Sequence, residues 1–172
     1  MKKAIVIVDM QNDFITGALA NPAAAAVIPG IRKLLEENAE ATEPATLFFT
    51  MDTHGEDYLQ TQEGQKLPVP HCIRGTEGWA ICPELAPFAK AARVIEKPVF
   101  GSVELGAALK GFDEVLFAGV CTDICVISNA MVARAFSPEL RIRVARDLCA
   151  GTTVQNHENA LAALACCQAE IV

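Results

Sequence analysis

The run Ala4-Ile5-Val6-Ile7-Val8, closed by Asp9, most constrains what this chain can fold into. It is apolar at every position, without the polar alternation of a half-solvated strand. Such a run suits a strand covered on both faces, the arrangement of parallel sheets sandwiched by helices. The rest of the chain supports this. Further strands are expected over residues 46–51, 93–96, 114–120, 140–145 and 170–172. Between them, helical patterns occupy residues 28–39 (apolar Ile31, Leu34 and Leu35, with Pro29 near the start), 102–110 (capped by Ser102, stopped by Gly111), 125–135 and 156–168. Strands alternating with helices imply right-handed crossovers and a three-layer α/β/α domain. With 172 residues and no repeat, low-complexity tract or linker, residues 1–172 are expected to form one domain.

In sheets of this class, ligands collect beyond the carboxyl ends of the strands. Asp9, Asp52, Lys97 and the segment around Cys125 each follow an expected strand end, and their convergence is the main pointer to a site. The stretch 53–79 is long, polar, rich in Gly and Pro, and holds His54 and His71, two of the three histidines. Loops beyond about 12–15 residues are usually functional or disordered, and this one follows a strand end, so it is read as part of the site.

Each candidate has a plain reading beside its chemical one. Asp9 could cap a turn, or serve as a general base fixed at a buried strand end. In Gly119-Val120-Cys121-Thr122-Asp123-Ile124-Cys125, Thr122 and Asp123 suit helix caps. That would put Cys125 in a first turn, where free N–H groups and the dipole favour thiolate and could hold an oxyanion. Cys121 is its rival. The other cysteines, Cys166 and Cys167 included, are read as packing residues. Lys97 is solvated unless it faces a carboxylate and a thiolate, which it would stabilise. Asp52, His54 and His71 form a partial metal site whose O and N donors suit Zn, Fe or Mn, although two loop histidines are often incidental. His157-Glu158 starts like a zinc-protease motif, but Leu161 replaces the second His, so His157 is read as structural.

Several classes are set aside. The formal charge of −7 argues against nucleic acid. No GxGxxG or GxxxxGK[ST] occurs, so no nucleotide cofactor is expected. The first apolar run is too short for a signal peptide, and no stretch approaches the ~20 apolar residues of a membrane span. Seven cysteines cannot all pair within one chain. A cytoplasmic protein with reduced thiols and no membrane partner is the expectation.

Taken together, these residues resemble the isochorismatase-like cysteine hydrolases, and within them the nicotinamidase-type amidases. The matching stretches are Val8-Asp9-Met10-Gln11-Asn12-Asp13-Phe14, Asp52-Thr53-His54, Pro70-His71-Cys72 with Gly75-Thr76, Lys97, Gly119 to Val126, Asp147 to Gly151, and His157-Glu158. They span nearly the whole chain in order. The resemblance implies a six-stranded, mainly parallel sheet in order 3-2-1-4-5-6. It implies a triad of Asp9, Lys97 and Cys125, with Cys125 rather than Cys121 as nucleophile because the family's cysteine follows the Thr-Asp pair. It also implies a cis peptide between Val120 and Cys121, an oxyanion hole from the N–H groups of Cys121 and Cys125, and a divalent Zn, Fe or Mn on Asp52, His54 and His71. The chain departs from the pattern in two places. Gln60 stands where some relatives have a further His, leaving Glu63 as the candidate ligand. Pro68 stands where many carry an aromatic residue that stacks on the pyridine ring, leaving Phe14 to supply a wall.

The implied reaction is hydrolysis of a small amide, nicotinamide to nicotinate plus ammonia first, through a thioester on Cys125. One alternative is an N-carbamoyl amidohydrolase; another is a non-catalytic interaction domain on the same fold. Isochorismatase itself lacks the nucleophilic cysteine, so Cys125 speaks against that chemistry. Assembly into a homo-oligomer is a further expectation from the family.

Overall fold

Strand β1 (Lys3–Val8) lies near the centre of the sheet, and Ala4 to Val8 are all buried. The computed structural model describes residues 1–172. β1 pairs in parallel with β2 (Thr46–Asp52) on one side and β4 (Glu114–Val120) on the other. β3 (Arg93–Lys97) extends the sheet beyond β2, while β5 (Arg141–Ala150) and β6 (Glu170–Ile171) extend it beyond β4. The order is β3-β2-β1-β4-β5-β6, every pair is parallel, and the sheet is the expected one.

The continuous apolar run of β1 now has its cause. Ala4, Val6 and Val8 enter one core with Leu105 and Leu109, Val126, Ala130 and Ala133, and Leu161 and Leu164. These come from α5 (Val103–Ala108) and its C-terminal end, α6 (Ile127–Phe136) and its approach, and α7 (Val154–Cys166). Ile5 and Ile7 enter the opposite core with Val27, Ile28, Ile31 and Leu35 of α2 (Pro22–Glu40) and Ala89 of α4 (Ala86–Ala89). Each Val, Leu or Ile so buried is worth about 1.5–3 kcal/mol in transfer free energy, so neither face tolerates polar alternation.

Several boundaries differ from the sequence reading. α2 begins at Pro22, because Asn21 accepts a hydrogen bond from the Ala23 N–H and Pro22 occupies the first turn. Pro29 therefore lies inside the helix rather than near its start. α7 starts at Val154, capped by Thr153. Its inward stripe is Ala160, Leu161 and Leu164. Cys166 and Cys167 fall outside that stripe at the helix end and are exposed, not packed. β5 runs on to Ala150, with an irregularity in its register against β4: Phe117 pairs with Val144, but Gly119 pairs with Cys149. Gly119 has φ +117°, and a Cβ there would run into the backbone of Val8. Only glycine fits that conformation and that approach. The stretch after β2 is not structureless. It holds a 3₁₀ turn (Tyr58–Gln60) and α3 (Gln62–Lys66), which Thr61 caps through the Gly64 N–H. Short α1 (Asn12–Ile15) follows β1. No helix is long and apolar enough to cross a membrane.

Candidate active site

Because β3, β2 and β1 are parallel neighbours, their carboxyl ends deliver Lys97, Asp52 and Asp9 side by side. Asp9 turns off β1 with φ +49°, a left-handed conformation that Asp tolerates better than most residues. Its Oδ1 accepts a hydrogen bond from the Thr50 hydroxyl at 2.6 Å. Its Oδ2 lies 2.6 Å from Lys97 Nζ as an ion pair. Lys97 Nζ also stands 3.2 Å from Asp52 Oδ1 and 3.4 Å from Cys125 Sγ. Lys97 is 1% exposed. A buried ammonium between two carboxylates and a thiol is costly to assemble, and this one joins residues from three separate strands and a helical turn.

Burial raises the Asp9 carboxyl above its ordinary pKa, and the opposing pull of Lys97 offsets this only in part. Burial also works against the charge on Lys97, but Asp9, Cys125 and Asp52 outweigh it and hold the ammonium above its usual range. The Cys125 thiol is pushed well up, by burial first and by Asp9 second, against Lys97. Both influences oppose the thiolate expected from a helix N-terminus. Cys125 sits in a π-helical turn (Thr122–Val126) ahead of α6, and desolvation beside a carboxylate dominates there. Thr122 and Asp123 do not cap that helix. Thr122 Oγ1 pairs with His157 Nδ1 at 2.8 Å, and Asp123 accepts from the backbone and hydroxyl of Thr152. They tie the turn to the start of α7. The peptide bond between Val120 and Cys121 is cis. The Cys121 N–H makes no hydrogen bond within the chain.

The second group is Asp52, His54, Glu63 and His71, whose ligand atoms all lie within 4.8 Å of one another. Asp52 Oδ2 is 3.0 Å from His54 Nε2 and 3.4 Å from His71 Nε2. Glu63 Oε1 is 3.8 Å and 3.7 Å from the same two nitrogens. Ligands at 2.0–2.1 Å from an ion in a tetrahedron stand roughly 3.3 Å apart, so the spacing and the two-oxygen, two-nitrogen donor set both fit a divalent cation. His71 Nδ1 donates to the Val69 carbonyl at 2.8 Å, which turns the lone pair of Nε2 inward. Burial works against the Asp52 charge, but the two neighbouring imidazoles and the Lys97 ammonium hold its pKa well below the carboxylate range. Asp52 thus faces Lys97 with one oxygen and the histidines with the other. Gln60 is exposed, and Glu63 takes the fourth position instead.

A cavity of about 930 Å³ opens over both groups. Cys121, Cys125, Asp52, Glu63 and His71 line it together with Phe14, whose ring meets His71 edge-on at 5.8 Å. Asp9 and Lys97 lie behind Cys125, and His54 behind Asp52 and His71, without lining the cavity themselves. Four supporting residues were missed. Thr50 fixes Asp9. Gln11 donates through Nε2 to the carbonyls of Asp52 and Trp79 and accepts the Asp52 N–H, holding the end of β2 against the long loop. Trp79 donates to Thr53 Oγ1. Tyr58, fully buried, sets its ring 4.7 Å from His54 and 5.0 Å from His71. Gln11 lies within the quoted motif beside Asp9, which was its only sequence cue.

The isochorismatase domain model matches residues 3–172. The nicotinamidase/pyrazinamidase of Mycobacterium tuberculosis (strain ATCC 25618 / H37Rv) is 33% identical over 99% of this chain and 98% of its own length. The crystal structure of a nicotinamidase/pyrazinamidase from Bacillus subtilis superposes with a TM-score of 0.84 at 29% identity, covering all of both chains. A pyrazinamidase of Pyrococcus horikoshii in complex with zinc has a TM-score of 0.82 at 25% identity, over 100% of this chain and 99% of its own.

Proposed function

The chain belongs to the isochorismatase family, and from that premise we propose that it is a cysteine hydrolase acting on the C–N bond of a small amide, nicotinamide first. The observation that carries this reading is the position of Lys97 Nζ, 2.6 Å from Asp9 Oδ2 and 3.4 Å from Cys125 Sγ, with Cys125 lining an open cavity. A base, a nucleophile and a cation are within reach of one another and of a ligand.

Asp9 Oδ2 takes the proton of Cys125, and the sulfur attacks the amide carbonyl carbon. The C=O electron pair moves onto oxygen, which the N–H groups of Cys121 and Cys125 receive. Collapse restores the carbonyl and expels nitrogen, which leaves as ammonia with the proton that Asp9 returns. Water then gives a proton to Asp9 and attacks the thioester. The acid departs, and Cys125 recovers its proton. Lys97 stays charged throughout, opposing the negative charge that moves between Asp9 and sulfur. Asp52, His54, Glu63 and His71 would hold a divalent cation, Zn, Fe or Mn, which when bound supplies Lewis acidity to a donor atom of substrate or water. A cytoplasmic location and assembly into homo-oligomers belong to the same proposal.

The test is ammonia release from a panel of small amides after the protein is loaded with each metal in turn. Turnover of nicotinamide, lost in Cys125→Ala, supports the reading, as does an acyl adduct on Cys125 trapped by mass spectrometry. No ammonia from any amide with metal restored would refute it.

A further inference from the structure

The cavity is far larger than the smallest amide requires. Nicotinamide has about nine non-hydrogen atoms. At roughly 30 Å³ each, the share of a water molecule in the liquid, it fills about a third of the 930 Å³. Away from the two polar groups, the lining is mostly apolar: Phe14, Leu19, Leu67, Val99, Phe100 and Ile124 face the space, with Asn21, Gln62, Lys66 and Thr152 among them. Apolar side chains also reach the exposed part of the lining, beside Lys66 and Thr152. Leu67 is 38% exposed, Val99 49% and Phe100 40%, so much of their surface stays in water when the cavity is open. Val99 and Phe100 come just after Lys97, so the strand end that delivers the buried ammonium also builds the rim. Exposed apolar surface gathered at one cavity mouth marks a place that a ligand covers.

Resting on the amidase reading, the geometry points to a narrower substrate class: carboxamides whose apolar body extends beyond one aromatic ring, with the amide at Cys125 and the extension against Leu19, Val99 and Phe100. Burying a second fused ring removes apolar surface on both the ligand and the rim from water. At ~25 cal/mol per Å², that favours the larger amide by about tenfold in kcat/KM.

The discriminating pair is nicotinamide and quinoline-3-carboxamide, which keeps the pyridine nitrogen and the carboxamide and adds one fused ring. Both are assayed for ammonia release with the full-length, metal-loaded protein. The expected result is a kcat/KM about tenfold higher for the quinoline, carried mainly by KM. Phe100→Ala, at an exposed rim position, should lower kcat/KM for the quinoline more than for nicotinamide. A thermal melt checks that this variant is folded. Turnover of nicotinamide with equal or poorer turnover of the quinoline overturns this inference and leaves the amidase reading standing. Equal losses for both amides in Phe100→Ala overturn it as well. Turnover of neither amide overturns this inference, and the amidase reading then stands or falls on the wider amide panel.

Discussion

The two ends of one sheet carry the same pairing of acids with bases at different depths. At the amino end, Glu114 opening β4 meets Arg141 at 3.2 Å and Arg143 at 3.4 Å, and Glu170 of β6 meets Arg141 at 2.7 Å. The Arg141 side chain is 53% exposed. Water screens the Arg141–Glu170 pair, so it contributes little, and although Glu114 is buried its two arginine partners reach solvent. At the carboxyl end, Asp9 and Lys97 face each other at 2.6 Å with no side-chain exposure at all. There the desolvation cost rivals the attraction, so the pair is poor evidence of stabilisation. The amino end stitches strands together. The carboxyl end buries its charges together behind the cavity, where the proposed chemistry would use them.

Four experiments break or sharpen this contrast. The largest effect is expected for Asp9→Asn, which keeps the shape but removes the carboxylate proposed as the base. Ammonia release should fall by at least about 10³-fold, and a loss under tenfold would take Asp9 out of the proton transfer. Next comes Lys97→Met, which leaves two buried carboxylates without a cation. Urea denaturation should register a loss of about 3–5 kcal/mol, and Asp9→Asn/Lys97→Met should recover much of it. Without that recovery, the cost belongs to packing rather than charge.

The third experiment is a pH profile. Asp9 must be ionised to accept the thiol proton, and burial raises its pKa. The acid limb of kcat/KM should therefore lie above the ordinary Asp value of about 3.9. A profile flat down to that pH would contradict the assignment. For stability the sign is reversed: the native state binds this proton more tightly than the unfolded chain, so the contribution of Asp9 shrinks as pH rises through its native value.

The smallest effect is expected for Arg141→Gln. The hydrogen bond from Arg141 lowers the Glu170 pKa, so the interaction is present above the ordinary Glu range and fades as pH falls through the lowered value. At neutral pH the variant's urea midpoint should scarcely move, and below that range the difference should vanish. A large shift would mean that the amino end is more than a surface stitch.

The sequence was most legible where chemistry and position coincide. Asp9, Asp52 and Lys97 could be placed at strand ends because apolar runs stop at or beside them, and a parallel sheet brings those ends together. Boundaries that depend on a cap were less legible. Residues 23–26 carry no charge periodicity, so the start of α2 rested on Pro29, whereas Asn21 and Pro22 set it. Long-range partners were not legible at all. Gln11 reaches Asp52 and Trp79, and Thr122 reaches His157, across separations that leave no local pattern. The surroundings of Cys125 are illegible for a related reason. The local turn argued for thiolate, but the depth of burial and the facing carboxylate come from elements distant in sequence.

Gly119 gives the final consequence. The space beside Val8 admits no side chain, and β4 leads into the turn that carries Cys125. The separation of the strand that ends at Asp9, the proposed base, from the strand that leads to Cys125, the proposed nucleophile, is therefore set by the thickness of a bare backbone. In a saturation library, this position should tolerate glycine alone. Even alanine there would act as a wedge, widening the gap that a proton must cross without touching either reacting residue.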